Sequence, residues 1–181
     1  MVVQTDEPRA QTLRAYAQIY LKKEIWSEQW IRKLDPFRKF LEVSSQCNSQ
    51  IINYADIARD VGVDDKTIIN YFSILEDTFL GFFLEPYHTS IRKRLSEKPK
   101  FYFFDNGVAR ALALSLTVPL TPKTSAYDAA FEHFIITQII ALNSYYKKDF
   151  RISYLRTRNY LVIFMYCIGM RELKGFSHES Y

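Results

Sequence analysis

The chain has 181 residues, with 24 Lys and Arg against 20 Asp and Glu, five Gly and two Cys. Apolar residues make up 48% and aromatics 16%, which excludes a disordered chain, and the length suits one domain or two small ones that bury a core without staples. Cys47 and Cys167 rule out a disulfide framework or a Cys-based zinc site, and His88, His133 and His178 are scattered with no i+4 pair. Neither G-x-x-x-x-G-K-[ST] nor G-x-G-x-x-G occurs, so no nucleotide-phosphate cradle is recognisable. The N-terminus lacks the basic and apolar regions of a signal peptide, and the longest uncharged apolar run, Tyr160–Met170, falls short of the ~20 residues of a bilayer span. A cytoplasmic setting with no membrane partner is expected.

In chain order, residues 10–33 predict a long helix, with Leu13, Tyr16, Ala17, Tyr20 and Leu21 on one face and Trp26 and Trp30 as packing residues. Asp35 caps and Pro36 starts a second helix to residue 46, burying Phe37, Phe40 and Leu41. Asn53 caps a short helix, Tyr54 to Val61, which Gly62 ends. Asp64 caps the next helix, Asp65 to Asp77, with Ile68, Tyr71, Phe72 and Leu75 inward. This is a helix-turn-helix pattern. Phe79–Leu84 and Lys100–Phe104 then read as aromatic strands flanking a polar, basic loop, which predicts the wing of a winged helix. The aromatics Phe72, Phe79, Phe82, Phe83 and Phe101–Phe104 are expected to fill a core. Asp105 caps a helix over Val108–Leu114, and Pro119–Ser125 is a linker. Ala126–Tyr146 predicts a long helix with Phe131, Phe134, Ile135, Ile139 and Leu142 inward. Phe150–Thr157 and Tyr160–Ile168 read as strands.

The net charge of +4 is a sum of unlike patches. Residues 53–78 carry two basic and six acidic groups, whereas residues 79–100 carry five and two, and residues 147–181 carry seven and three. A polyanion responds to such patches rather than to the mean. The outward positions of the second helix of the pair, Lys66, Asn70 and Ser73 among them, are the ones a major groove would meet, with Asn70 suited to adenine. The acidic groups around them repel phosphate. Arg92, Lys93, Arg94, Lys98 and Lys100 have the opposite sign, so DNA contact is expected through the wing before the helix. The competing expectation is a solvated charged loop on a protein-interaction module.

The stretches Ile57–Val63, Lys66–Thr78, Arg92–Leu95, Pro99–Arg110 and Phe131–Ile135 occur together and in order. Together they resemble the domain of unknown function that lies C-terminal to the AAA-type ATPase module in a large family of predicted bacterial and archaeal ATPases. The resemblance covers about residues 10–158. It implies an α+β fold: N-terminal helices over 1–52, a winged helix over 53–118, a linker over 119–125, and a partial PD-(D/E)-x-K-nuclease-like α/β piece over 126–181. It also implies ATP and Mg²⁺ in the ATPase module of full-length relatives, with no cofactor held by this chain. After Arg158 the text departs from the family, lacking its Gly and its central Asp, which predicts a truncated or frame-shifted member.

Nuclease chemistry needs carboxylates converging on a divalent ion and a Lys near the attacking water. Glu132 matches the family's first acidic position by resemblance, and Glu172 and Lys174 have the Glu-x-Lys spacing that puts both on one strand face. Without the central Asp these three are vestigial candidates, so the expectation is a non-catalytic module. Its expected partners are DNA, an ATPase module or another protein; the alternative is an interaction or oligomerisation module with no nucleic-acid role.

Overall fold

The computed structural model describes residues 7–17, 34–88, 90, 92, 96–156 and 161–167. Among them are six helices and two antiparallel strand pairs, an α+β arrangement. Helix α1 is Glu7–Ala15, α2 Leu34–Gln46, α3 Tyr54–Val61 and α4 Asp65–Asp77. Strands β1, Gly81–Leu84, and β2, Lys100–Phe103, form the first pair. Helices α5, Asn106–Leu112, and α6, Ser125–Tyr145, follow, and then β3, Phe150–Arg156, pairs with β4, Leu161–Cys167.

The helix ends show why these segments fold locally. Asp64 accepts the Thr67 amide at 2.7 Å, Asp105 the Val108 amide at 2.8 Å and the Thr124 hydroxyl the Tyr127 amide at 3.3 Å. Each satisfies an orphan donor of a first turn. Asn53 occupies the equivalent position before α3, yet its side chain makes no cap; it donates to Asp56 instead. Asp35 is not a cap either, because α2 starts at Leu34 and Asp35 lies in its first turn. Gly62 closes α3 in the left-handed conformation, φ 84°. Phe79, Leu114 and Lys147 take that same conformation after α4, α5 and α6. In each case the following amide reaches back five residues, as in Leu80 to Leu75 at 2.8 Å, the Schellman closure.

Strand β2 is buried along its whole length, and alternation divides its side chains between two cores. Phe101 and Phe103 enter the larger core with Phe37, Phe40, Ile68 and Phe72. Within it Phe72 meets Phe40 and Phe101 edge-on, both at 4.9 Å between ring centroids. Tyr102 turns to a smaller core with Leu84, Ile136 of α6 and Tyr154 of β3. Gly81 is required here: a Cβ would lie 2.2 Å from Cζ of Phe101 and 2.7 Å from the Tyr102 carbonyl oxygen.

Several expectations are corrected. The described part of the first helix is Glu7–Ala15, and Tyr20, Leu21, Trp26 and Trp30 lie outside the described residues. The helix after Asp105 runs Asn106–Leu112, leaving Leu114 exposed. Phe79 and Phe104 are exposed rather than in the core. On α6 the buried residues are His133 and Ile136, whereas Phe131, Phe134, Ile135 and Leu142 face solvent. That helix is apolar nearly all round, so periodicity does not choose its inner face; its polar contacts do. No helix among the described residues is long and apolar enough to cross a membrane.

Candidate functional site

Two neighbouring arrangements are built from β2, and both involve residues singled out by sequence. The first begins with strand alternation. Lys100 shares a face with Tyr102, which turns it toward α6 and leaves it 3% exposed. Its ammonium donates to Glu132 Oε1 at 2.6 Å, and the Tyr102 hydroxyl donates to the same oxygen at 2.7 Å. The ammonium also stands 5.5 Å from the centroid of the Tyr102 ring. Burial first, and then the Glu132 carboxylate, push the Tyr102 phenol well above its ordinary range, so it remains a donor.

His133, the next residue on α6, is fully buried. Asn48 Oδ1 accepts the Phe103 amide at 2.9 Å, so its Nδ2 is the group 3.0 Å from His133 Nδ1 and must donate to it. The imidazole therefore carries its proton on Nε2 and donates to the Phe103 carbonyl at 2.6 Å. Burial holds the His133 pKa below its ordinary value, against the opposing pull of the Phe103 carbonyl, Asp105 and Glu132. Asn106 adds a bond to the Ala130 carbonyl at 3.0 Å. These contacts seat α6 on β2, the 47–50 turn and α5 by polar groups, which selects the face bearing Glu132 and His133.

A divalent ion at Glu132 would compete with a buried ammonium already bound to the carboxylate. Among the described residues no three His, Cys, Asp or Glu side chains come together as a metal site. Glu172 and Lys174 lie outside the described residues.

The second arrangement is the basic segment between β1 and β2. Tyr154 of β3 holds both its ends. Its amide donates to the Glu85 carbonyl at 3.0 Å and its carbonyl accepts the Tyr87 amide at 2.6 Å. Its hydroxyl donates to the Lys98 carbonyl. Burial, followed by Glu97 and Glu85, pushes this phenol up to about 12. The Lys98 ammonium crosses to Asn53 Oδ1 at 3.0 Å, tying the segment to the start of α3. Arg92 and Lys98 are exposed, and Lys93 and Arg94 lie outside the described residues. Lys100 is the correction: its ammonium faces Glu132, not solvent. Strand alternation carried that signal, since Lys100 and Tyr102 are two residues apart.

On α4, Lys66 and Asn70 are exposed, and the Ser73 hydroxyl donates to the Ile69 carbonyl at 3.1 Å. Hydrogen bonds from Thr67 hold the Asp64 carboxyl below its ordinary range, so the start of α4 keeps its negative charge.

Residues 1–119 match the family model of a domain of unknown function, DUF8612. The chain belongs to this family. The DUF8612 region takes in α1 to α5 and the β1–β2 pair, and it ends where the connection to α6 begins. Two curated relatives are the uncharacterized protein Mb2031c of Mycobacterium bovis and the uncharacterized protein Rv2008c of Mycobacterium tuberculosis. Each is 31% identical over 98 residues, which is 52% of this chain and 22% of the relative. The matched segment thus spans about a fifth of the length of these relatives. No solved structure matches the chain.

Proposed function

We propose that the chain is a non-catalytic module of a larger, AAA-type ATP-binding protein, and that a winged-helix region within it meets DNA through the basic segment between β1 and β2. The observation that carries this is the clamp at Tyr154, which anchors Glu85, Tyr87 and Lys98 on one residue. A segment tethered at both ends delivers its cations to a phosphate backbone with less ordering cost than a free tail. Arg92, Lys93, Arg94 and Lys98 supply the positive charge; Lys66, Asn70 and Ser73 of α4 are secondary, because Asp64 and Asp65 stand at the start of that helix. A nuclease-like second half accords with the α6–β3–β4 order, and the Glu132–Lys100 ion pair supports a structural role for Glu132 there. The length of the mycobacterial relatives accords with a further nucleotide-binding module outside the matched segment. ATP and Mg²⁺ would belong to that module.

Anisotropy titration of a random-sequence duplex at low salt tests the DNA contact. The wild type should bind, and Arg92→Glu with Arg94→Glu should lose most of that affinity while keeping its circular dichroism. Equal binding by the two proteins removes the reading.

A second reading, a protein-interaction module with no nucleic-acid role, is favoured by the burial of Lys100 and by the apolar outer face of α6.

A further inference from the structure

The outer face of α6 is apolar and open. Phe131, Phe134, Ile135, Leu142 and Tyr145 are each between 39% and 78% exposed. Their spacing keeps them on one side of the helix, opposite His133 and Ile136. A stripe of this kind on a single helix face matches the seam that another helix covers.

The order of the stripe indicates which helix. Counted from Gln138, Phe134 lies four residues before and Leu142 four after. Phe131 lies seven before and Tyr145 seven after. An antiparallel pair with its two-fold axis at Gln138 therefore sets Phe134 against Leu142 and Phe131 against Tyr145 of the other copy. A parallel pair would set Asp128 against Asp128. Opposed helix dipoles favour the antiparallel choice as well. We infer that the occupant of this face is a second copy of the chain, packed antiparallel on α6 about Gln138.

The area is sufficient. With roughly 200 Å² for each fully exposed large side chain, the five exposed fractions leave roughly 550 Å² on one copy and about 1,100 Å² on the pair. That reaches the ~1,000 Å² of a specific interface, at the size where association is weak. The proposal gives the interaction reading a defined surface, and it holds whether or not the chain touches DNA.

Sedimentation equilibrium of the full chain tests it. The wild type should show a monomer–dimer equilibrium in the micromolar range. Phe134→Asp with Leu142→Asp should be monomeric with unchanged circular dichroism, since both sites are exposed. Under mild oxidation Gln138→Cys should give a disulfide-linked dimer where the wild type, which keeps Cys47 and Cys167, does not. A wild type that stays monomeric into the hundreds of micromolar overturns the inference. So does a dimer indifferent to the Phe134 and Leu142 changes, which would lie elsewhere. DNA titration of the Phe134→Asp, Leu142→Asp variant separates the two accounts, as these changes leave residues 92–98 intact.

Discussion

Removing the carboxylate of Glu132 should cost far more than removing the ammonium it binds. In Glu132→Leu the Lys100 ammonium stays in a site where only 3% of the residue is exposed and loses its bonded oxygen at 2.6 Å. Leaving one member of a buried pair uncompensated costs about 3–5 kcal/mol, and the Tyr102 hydroxyl loses its acceptor as well. In Lys100→Met the remaining carboxylate has a side chain 28% exposed, still accepts from Tyr102, and can hydrate. That variant should lose about 1–2 kcal/mol. The double variant replaces both charges with apolar groups and should be more stable than Glu132→Leu alone, because no orphan charge remains. Urea unfolding of the four proteins, analysed at constant m, reads the cycle. Additive losses, or a Lys100→Met that is the worse of the single variants, would show that Lys100 is not the desolvated partner and would refute this description of the β2–α6 contact.

Three further outcomes follow from the same contacts. His133 is held neutral by burial, so the unfolded chain takes up a proton near pH 6.5 before the folded one does. Stability should therefore fall as pH drops from 7 through that window, and urea unfolding should find this slope reduced in His133→Gln; an unchanged slope would assign it to other groups. Phe79 holds φ 57° while 87% exposed. Phe79→Gly should raise stability by about 1 kcal/mol, since left-handed backbone strain is relieved and little buried area is lost, and a lower urea midpoint would count against the strain. Tyr154→Phe removes the bond to the Lys98 carbonyl at a cost of about 1 kcal/mol, and amide exchange at Tyr87, bonded to the Tyr154 carbonyl, and at Ile52, bonded to the Pro99 carbonyl, should quicken. Unchanged exchange there would mean that the clamp does not hold the segment.

Much of the element order was legible because its signals are local. Asp64 and Thr67 mark the start of α4 three residues apart, and Gly62 marks the end of α3. The end of α5 was less legible, since Leu114 occupies the left-handed position that Gly usually announces. The orientation of α6 was hidden for another reason. Phe131, Phe134 and Ile135 outrank His133 in hydrophobicity, yet Asn48 and the Phe103 carbonyl, both distant in sequence, capture the histidine and turn those residues outward. Glu132 was singled out as a vestigial catalytic group through family likeness; its pairing with Lys100 depends on α6 meeting β2, a contact with no local signature. Lys100 itself was within reach, because the period of a strand already sets it beside Tyr102.

The most direct test of the functional account is the salt dependence of duplex binding by the wild-type chain. Three or four phosphate contacts from Arg92, Lys93, Arg94 and Lys98 should give a slope of log K against log salt of about −2.7 to −3.6, with no contribution from the buried Lys100. No measurable binding at low salt, or binding that ignores salt, would contradict the claim that the basic segment between β1 and β2 meets DNA.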